Sequence, residues 1–349
     1  MEEFKEVVVE NFGNVIDDNS VINKGKTLII DADSIIYTAA LSSQIEMVVA
    51  DRSAYSDEEW DEISSNPSYN EDDGVYNVSN LNMGIETASD KINRLLTISG
   101  CDNVELAFTA GKCFRFTLGD CSYKDNRKKI IRPAGLVEIK DAISNKFKSI
   151  NCVNIEADDY VCYKVRTNPL YICSAIDKDV LYSNPGKVLN YYEANYITRN
   201  GNIVSRNIHW ETVSEKQSDY WPFIQCLEGD SSDNIIGPKG IGPKTMLKFF
   251  GVTLTKDEKK EVKKVSDLLK FIDKFPEFNV YNAWNSVVTA YESKGLSEMD
   301  ALANANLLAM NLYTDIDSRY IDDALFVDYE NDKMVISFET YMEVKYGRN

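Results

Sequence analysis

Three short apolar runs in this chain each end on closely spaced acids, and that recurrence constrains its fold more than any other feature. TLIIDADS sets Asp31 and Asp33 after the first run, and CVNIEADD sets Glu156, Asp158 and Asp159 after the second. LYICSAIDKD sets Asp177 and Asp179 after the third, and GDSSDN adds Asp230 and Asp233 three residues apart. Buried parallel strands read as continuous apolar stretches and deliver their last residues to the edge of the sheet where α/β sites lie. If these strands are parallel neighbours, up to nine carboxylates meet in one mouth. Such a cluster needs cations, because like charges at short range raise each other's pKa. Mg²⁺ takes oxygen ligands, and two such ions can activate a water and stabilise the leaving oxygen of a phosphodiester. The competing reading is that acids at helix starts cap N–H groups and favour the helix dipole. Capping explains any one motif as well as metal does; the repetition favours the cluster.

The alternation of strand and helix from 26 to 192 predicts an α/β fold, a mostly parallel sheet with helices on both faces. Strands are expected at 27–31, 104–108, 152–155, 170–173 and 187–191, and helices at 34–50, 86–98 and 136–149. Residues 1–24 read as an extension with a strand at Val7–Val9. The stretch 51–84, rich in Asp and Glu, reads as a solvated insertion. Asn200-Gly201 predicts a hairpin turn within 195–210. Beyond Tyr220 the pattern is mainly helical, with a charged amphipathic helix over 256–275, two helices over 280–312, and short strands in ALFVDY and MVISF. These boundaries divide the chain into an N-terminal extension (1–24), an α/β domain (25–219) with the acidic insertion and a basic segment at 110–134, and a helical domain with a C-terminal extension (220–349).

Composition narrows the chemistry. Among 349 residues, 56 Asp and Glu outweigh 38 Lys and Arg for a net charge of −18, which by itself weighs against a nucleic-acid partner. Charge arrangement matters more than its sum. Lys112, Arg115, Lys124, Arg127, Lys128, Lys129 and Arg132 lie within 112–132 against only Asp120 and Asp125. Arg115 and Arg127 suit a bidentate grip on phosphate, and Phe114, Phe116 and Tyr123 suit stacking on a frayed base. GPKGIGPKT (237–245) has the layout of a helix-hairpin-helix turn, with Gly237, Gly240 and Gly242 permitting close backbone approach to a phosphate. Lys239, Lys244 and Thr245 belong to the same candidate DNA-binding turn, whose carbonyls are also suited to a potassium ion. The seven cysteines include no CxxC pair, which predicts thiols in a reducing cytoplasm, and His209 alone makes imidazole-based hydrolysis improbable. No apolar run is long enough for a membrane span, and the first residues lack the pattern of a signal peptide.

Taken together, LIIDADSIIY, LAFTAGKCFRFTLGDCSYKDNRKK, IEADDYVCYKV, ICSAIDKDV and GDSSDNIIGPKGIGPKT resemble the 5′→3′ exonuclease and flap-endonuclease family, above all the exonucleases of short-tailed bacteriophages. The resemblance covers roughly 26–250 in the family's order. It implies a PIN-like nuclease domain followed by a helical DNA-binding domain, two Mg²⁺ or Mn²⁺ ions, and DNA with a 5′ end or flap as substrate, RNA–DNA primer hybrids included. Glu156, Asp158 and Asp159 with Asp31 correspond to one metal group, and Asp177, Asp179, Asp230 and Asp233 to the other; Asp33 is an additional candidate. Lys124 and Arg127 correspond to the residues that position the scissile phosphate beside the catalytic acids Asp31, Glu156 and Asp158. Arg115, Lys128, Lys129 and Arg132 are expected on DNA.

One departure stands out. The family places an aspartate just after its second strand, whereas this chain reads Phe108-Thr109-Ala110. Either the lost carboxylate at Ala110 weakens metal binding and cleavage, or Asp33 or a water replaces it. Natural divergence and a deliberate change that traps DNA uncut are both open at this stage. So are a silent branched-DNA-binding protein on the same scaffold and a ribonuclease of the PIN type.

Overall fold

The computed structural model describes residues 10–12, 23–49, 51–117, 122–197, 203–308, 310, 326–328 and 334–336. The strand expected at Val7–Val9 and the turn at Asn200-Gly201 lie outside them. A short strand, β1 (Glu10–Phe12), precedes β2 (Thr27–Asp31), which is buried from Leu28 onward, and helix α1 (Asp33–Ser42).

The helix expected to run to residue 50 stops at Ser42. Ser42 Oγ donates to Ala39 O and Ser43 Oγ to Ala40 O, and such local bonds compete with helix continuation. The next residues form β3 (Gln44–Val48) instead. Nor is 51–84 an open loop. Its acids start helix α2 (Asp57–Ser65), whose Ser56 and Glu59 close a capping box, and β4 (Val75–Ser79) pairs antiparallel with β3. Trp60 packs edge-on against Tyr69 beneath the Arg52 guanidinium. The acids of the stretch are exposed, as a solvated segment requires, but part of it is ordered: Asp57, Glu58 and Glu59 form the first turn of a capped helix.

The main domain continues through α3 (Leu81–Ser99), β5 (Asn103–Cys113), α4 (Leu136–Lys146), β6 (Ser149–Asn154), α5 (Ala157–Thr167), β7 (Tyr171–Ala175), α6 (Lys178–Ser183) and β8 (Gly186–Asn190). Helix α3 ends at Gly100, whose φ of 66° is the left-handed conformation that closes a helix without a Cβ penalty. Strands β9 (Ala194–Ile197) and β10 (Ile203–Arg206) form the expected antiparallel pair, with β1 parallel to β10, and β11 (His209–Val213) returns to the main sheet. That sheet has the order β11-β8-β7-β2-β5-β6, and all its pairings are parallel except β8 with β11. Leu28, Ile30 and Phe108 face α1, α3 and α4 on one side, while Ile29, Ala107 and Cys173 face α5 on the other. The mostly parallel sheet flanked by helices on both faces is the expected α/β architecture.

The C-terminal part packs around Trp221 and Trp284, both nearly inaccessible, in a cluster that also takes in Phe114 and Tyr123 from the basic segment. It comprises α7 (Glu215–Glu228), the two-residue strands β12 (Gly229–Asp230) and β13 (Ile235–Ile236), α8 (Pro243–Phe249), α9 (Glu258–Glu261), α10 (Val280–Glu292) and α11 (Glu298–Leu308), with a terminal pair β14 (Phe326–Asp328) and β15 (Met334–Ile336). The single helix expected over 256–275 is broken. Lys263 and Lys264 donate their amides to Asp267 Oδ2, so a new 3-10 run starts at Val265 and kinks at Phe271. Among the described residues no helix is long and apolar enough to cross a membrane. The six described cysteines are buried and form no disulfide.

Candidate active site

Parallel pairing brings the acid-bearing strand ends together. Asp31 closes β2, Glu156 precedes α5, and Asp177 caps α6 by accepting the Asp179 amide at 2.8 Å. The β12–β13 turn carries Asp230 and Asp233 to the same place. Charge interactions run through the set without a gap: Asp31 faces Asp33, Asp158 and Asp177, and Asp177 in turn faces Asp230 and Asp233.

Capping and clustering both occur. Asp159 Oδ2 accepts the Glu156 amide at 3.1 Å, Asp230 Oδ1 accepts the Ser232 amide at 2.8 Å, and Asp31 Oδ1 accepts the Asp33 amide at 3.3 Å. Capping does not account for the rest. Asp158 Oδ1 and Asp179 Oδ1 are buried without a hydrogen-bond partner. Other buried polar atoms of the described residues are also unpartnered. These two, however, are carboxylate oxygens in one mouth, and Asp158 shares a side-chain hydrogen bond with another acid, Asp31. Such oxygens are the donors a hard cation takes.

The electrostatics agree. Burial, reinforced by the Asp33 charge, pushes Asp31 up to about 7. Burial and the Asp31 charge hold Asp158 well above the usual carboxylate range, and burial with Asp177 does the same for Asp179. Asp177 is raised by burial and by Asp230. Oxygen-only, like-charged, desolvated donors suit a hard divalent cation. Yet no three or more His, Cys, Asp or Glu side chains among the described residues are drawn together as a formed metal site. The chain's own cations hold several of the acids.

Arg115 is the first of these. The sequence reading put it on a phosphate, but it is fully buried, with Nη1 and Nη2 at 2.6 and 2.7 Å from the two Asp159 oxygens, Nη1 at 3.2 Å from Glu156, and Nε donating to Leu307 O at 2.8 Å. Asp159 is thereby engaged by a guanidinium, not presented as a free ligand. Tyr123, expected to stack on a base, is also buried; its hydroxyl lies 2.8 Å from Glu156 and 2.9 Å from Asp233 and donates to one at a time. Phe114 is core as well.

Lys124 and Arg127 do reach the mouth. Lys124 bonds Glu156 and lies 3.6 Å from Asp233, and Arg127 bonds Asp233 and donates to Ser232 O at 3.0 Å. Burial opposes a charged Glu156, but Arg115 and Lys124 outweigh it and hold its carboxyl below the usual range. Asn126 donates to Ser231 O, Asn234 to Ser122 O, and the Lys124 amide to Asp233 O. Residues 122–127 are thus stitched onto the GDSSDN turn, while Lys128, Lys129 and Arg132 stay exposed beyond it.

Sequence reasoning missed Lys178, which lies between two acids in DKD and bridges to Glu228 at 3.2 Å and Asp230 at 3.9 Å. An open cleft of about 440 Å³ leads from Lys178 and Asp230 to Gly237 and Lys239. In the glycine turn, Gly240 has φ of 80° and Gly242 faces open space, as close backbone approach requires. Gly237 serves packing instead: a Cβ there would stand 2.6 Å from Leu227 O. Lys244 and Thr245 line a second depression with Lys260 and Lys263. Ala110 pairs with Val153 in the ladder at the end of β5, and Asp33 Oδ2 accepts the Thr109 amide beside it at 3.0 Å. His209 is structural, its Nε2 lying 3.2 Å from Glu211.

No protein-family model matches the chain. Over 230 residues it is 27% identical to the exonuclease of Escherichia phage T7, an overlap that takes in 61% of this chain and 71% of that protein. Among solved structures, the T5 D15 protein co-crystallised with metal ions aligns with a TM-score of 0.45 and 16% identity over 84% of this chain and 92% of that one. The catalytic core of Rad2 in complex with DNA substrate aligns at 0.38 and 14% over 83% and 95%. The similarity to the T7 exonuclease agrees with the motif resemblance to the 5′→3′ exonuclease and flap-endonuclease family.

Proposed function

We propose that this chain is a divalent-metal-dependent 5′-nuclease that hydrolyses phosphodiester bonds in DNA replication intermediates, as a 5′→3′ exonuclease and 5′-flap endonuclease with RNA primers among its substrates. The observation that carries this reading is the pair of orphaned buried oxygens, on Asp158 and Asp179, in a mouth of converging carboxylates flanked by Lys124 and Arg127. Asp31, Asp158, Asp177 and Asp179 would hold Mg²⁺ or Mn²⁺, with Glu156, Asp230 and Asp233 completing the donor set. Bound there, such ions supply an activated water and neutralise the leaving oxygen.

The chain's own groups do the rest. Lys124 and Arg127 exchange their carboxylate partners for the scissile phosphate, a compact point charge beside a planar fork. Lys128, Lys129 and Arg132 hold the strand beyond the mouth. The glycine turn with Lys239, Lys244 and Thr245 holds the duplex backbone, with a potassium ion as part of the same reading, and the chain divides functionally at about residue 220. No side-chain nucleophile is required.

The specific observation favouring a second reading is Ala110, which leaves the strand end without the family's carboxylate. On that reading the chain is a silent binder of branched DNA. The deciding experiment incubates 5′-labelled blunt, nicked and flapped DNA with the chain and with Ala110→Asp, in Mg²⁺, Mn²⁺ or EDTA. Metal-dependent release of 5′ products is expected. Cleavage in Mg²⁺ or Mn²⁺ by Ala110→Asp alone, with salt-sensitive DNA binding by the native chain, would establish the silent binder, and a preference for single-stranded RNA would establish a ribonuclease.

A further inference from the structure

Beside Ala110 in β5 stands a cation from α4, where the related nucleases would be expected to carry an acid. Side chains alternate along this strand: Phe108 packs with Ile139 and Ile143 of α4, whereas Ala107 packs with Val161 of α5. Pairing stays regular through Thr109–Cys152 and Ala110–Val153, so Ala110 shares the Phe108 side. On that side Lys140 of α4 lays its ammonium 5.1 Å from the centre of the Phe108 ring and donates to Thr109 O at 3.0 Å. The neighbouring Thr109 amide donates to Asp33 Oδ2 at 3.0 Å, and Thr109 Oγ1 accepts the Ala157 amide at 3.0 Å. Lys140 and Asp33 make no ion pair within 4 Å; they meet through Thr109, whose carbonyl takes the ammonium and whose amide donates to the carboxylate, and Lys140 acts on Asp33 across that bridge. The amide, carbonyl and hydroxyl of Thr109 are thereby all engaged, and the ammonium stands on the flank to which residue 110 points.

We propose that Lys140 is a built-in cation on the Ala110 flank of the mouth, with Asp33 as its counter-ion, so that Asp33 is a positioning residue and not an ion ligand. The inference rests on the reading that the mouth takes divalent ions. An aspartate here and a lysine opposite it would pair with each other; the alanine leaves the lysine to Asp33 and keeps the sum of charges at that flank near neutral. An unshielded ammonium close to the remaining carboxylates repels a divalent ion, so removing it strengthens binding and removing its counter-ion weakens binding.

The test is calorimetric titration of the whole chain with Mn²⁺ alone, without DNA. Lys140→Met is expected to bind Mn²⁺ at least about tenfold more tightly than the native chain, and Lys140→Arg to match it. Asp33→Asn is expected to bind about tenfold more weakly, and Asp33→Asn with Lys140→Met to return close to the native value. A double variant as weak as Asp33→Asn would make Asp33 a ligand and overturn the proposal, as would a Lys140→Met variant that binds no more tightly than the native chain. If Lys140→Met loses its native circular dichroism, the decision passes to Asp33→Gln, expected to bind about as weakly as Asp33→Asn; native-like binding by it overturns the proposal. Failure of this series with intact native binding sinks the Lys140 assignment alone. Absence of Mn²⁺ binding by every protein, the native chain included, sinks the metal reading and this inference with it.

Discussion

Replacing Arg115 by Met tests whether a buried guanidinium, and not an ion, holds Asp159. The guanidinium is fully inaccessible and spends both Nη atoms on Asp159, one of them also on Glu156, and Nε on Leu307 O. Methionine fills much of the volume but leaves a buried carboxylate and a carbonyl of α11 unanswered. Breaking one side of such a pair costs about 3–5 kcal/mol. With a urea slope of about 3 kcal/mol per molar, the midpoint followed by tryptophan fluorescence falls by roughly 1 M or more. Trp221 and Trp284 are buried in the cluster next to Phe114, so they report on this region. Arg115→Met with Asp159→Leu removes both charges and recovers most of the loss, since apolar pairs commonly match buried ion pairs in stability. The deficit of the single variant also shrinks in acid. Glu156 is held below the usual carboxylate range against its burial, by Arg115 and Lys124. That stabilisation is present above the unfolded pKa and is lost as pH falls through the folded one. A single variant within about 1 kcal/mol of the native chain, or a double variant less stable than the single, would refute the clamp.

Asp158→Asn removes a carboxyl that burial and Asp31 resist charging, so in EDTA at alkaline pH, where that group is forced to ionise, the variant melts higher than the native chain, while Mn²⁺ affinity and cleavage fall roughly 100-fold or more; a lower melting temperature under those conditions would contradict the charge argument. Burial and mutual repulsion raise Asp31 to about 7, and raise Asp158, Asp177 and Asp179 as well. Between the ordinary aspartate pKa and that range the folded chain binds more protons than the unfolded one, so metal-free stability falls as pH rises toward 7, and Mn²⁺ restores it above. Melting curves from pH 5 to 8 with and without Mn²⁺ check the sign. Gly237→Ala, forced against Leu227 O, loses about 1–3 kcal/mol, whereas Gly242→Ala, facing open space, folds normally and loses only DNA affinity in a filter-binding assay.

The strand ends were legible because each is a local pattern: an apolar run too short for a helix, closed by acids at fixed spacing. Their convergence followed from parallel topology, which the alternation of elements already implies. What escaped the sequence depends on direction in space. Arg115 belongs by composition to a cationic strip, and only the packing of the strip's start against Trp221 and its neighbours turns it inward onto Asp159. The acids of 57–62 read as a solvated run because charge density alone does not distinguish disorder from a capped helix; the Ser56–Glu59 spacing was the available signal. Lys178 was visible in DKD, masked by the two acids that flank it. The break at 262–264 arises from Asp267 accepting two amides, a contact no periodicity records.

A mouth of this kind has to be stable before any ion or substrate reaches it, and the distribution of cations shows how. Arg115 is committed inside, bidentate and inaccessible, so it neutralises permanently. Lys178 and Lys124 are semi-exposed point charges, and the Arg127 guanidinium is nearly half exposed, each on carboxylates that a divalent ion would also seek. An inaccessible pair exchanges slowly, because opening it strands charge in a low dielectric. A pair at the rim exchanges cheaply, because water screens both partners during the swap. The acids split accordingly: Asp159 is structural, Glu156 is shared between the fixed Arg115 and the movable Lys124, Asp233 is held by Arg127 and Lys124, and Asp158 and Asp179 keep an unpartnered oxygen. Affinity for a cation should therefore concentrate on the last two, with Glu156 and Asp233 joining only as Lys124 and Arg127 turn to a phosphate. On the proposed function, binding of ion and of DNA would then be mutually reinforcing, since each releases the group the other needs.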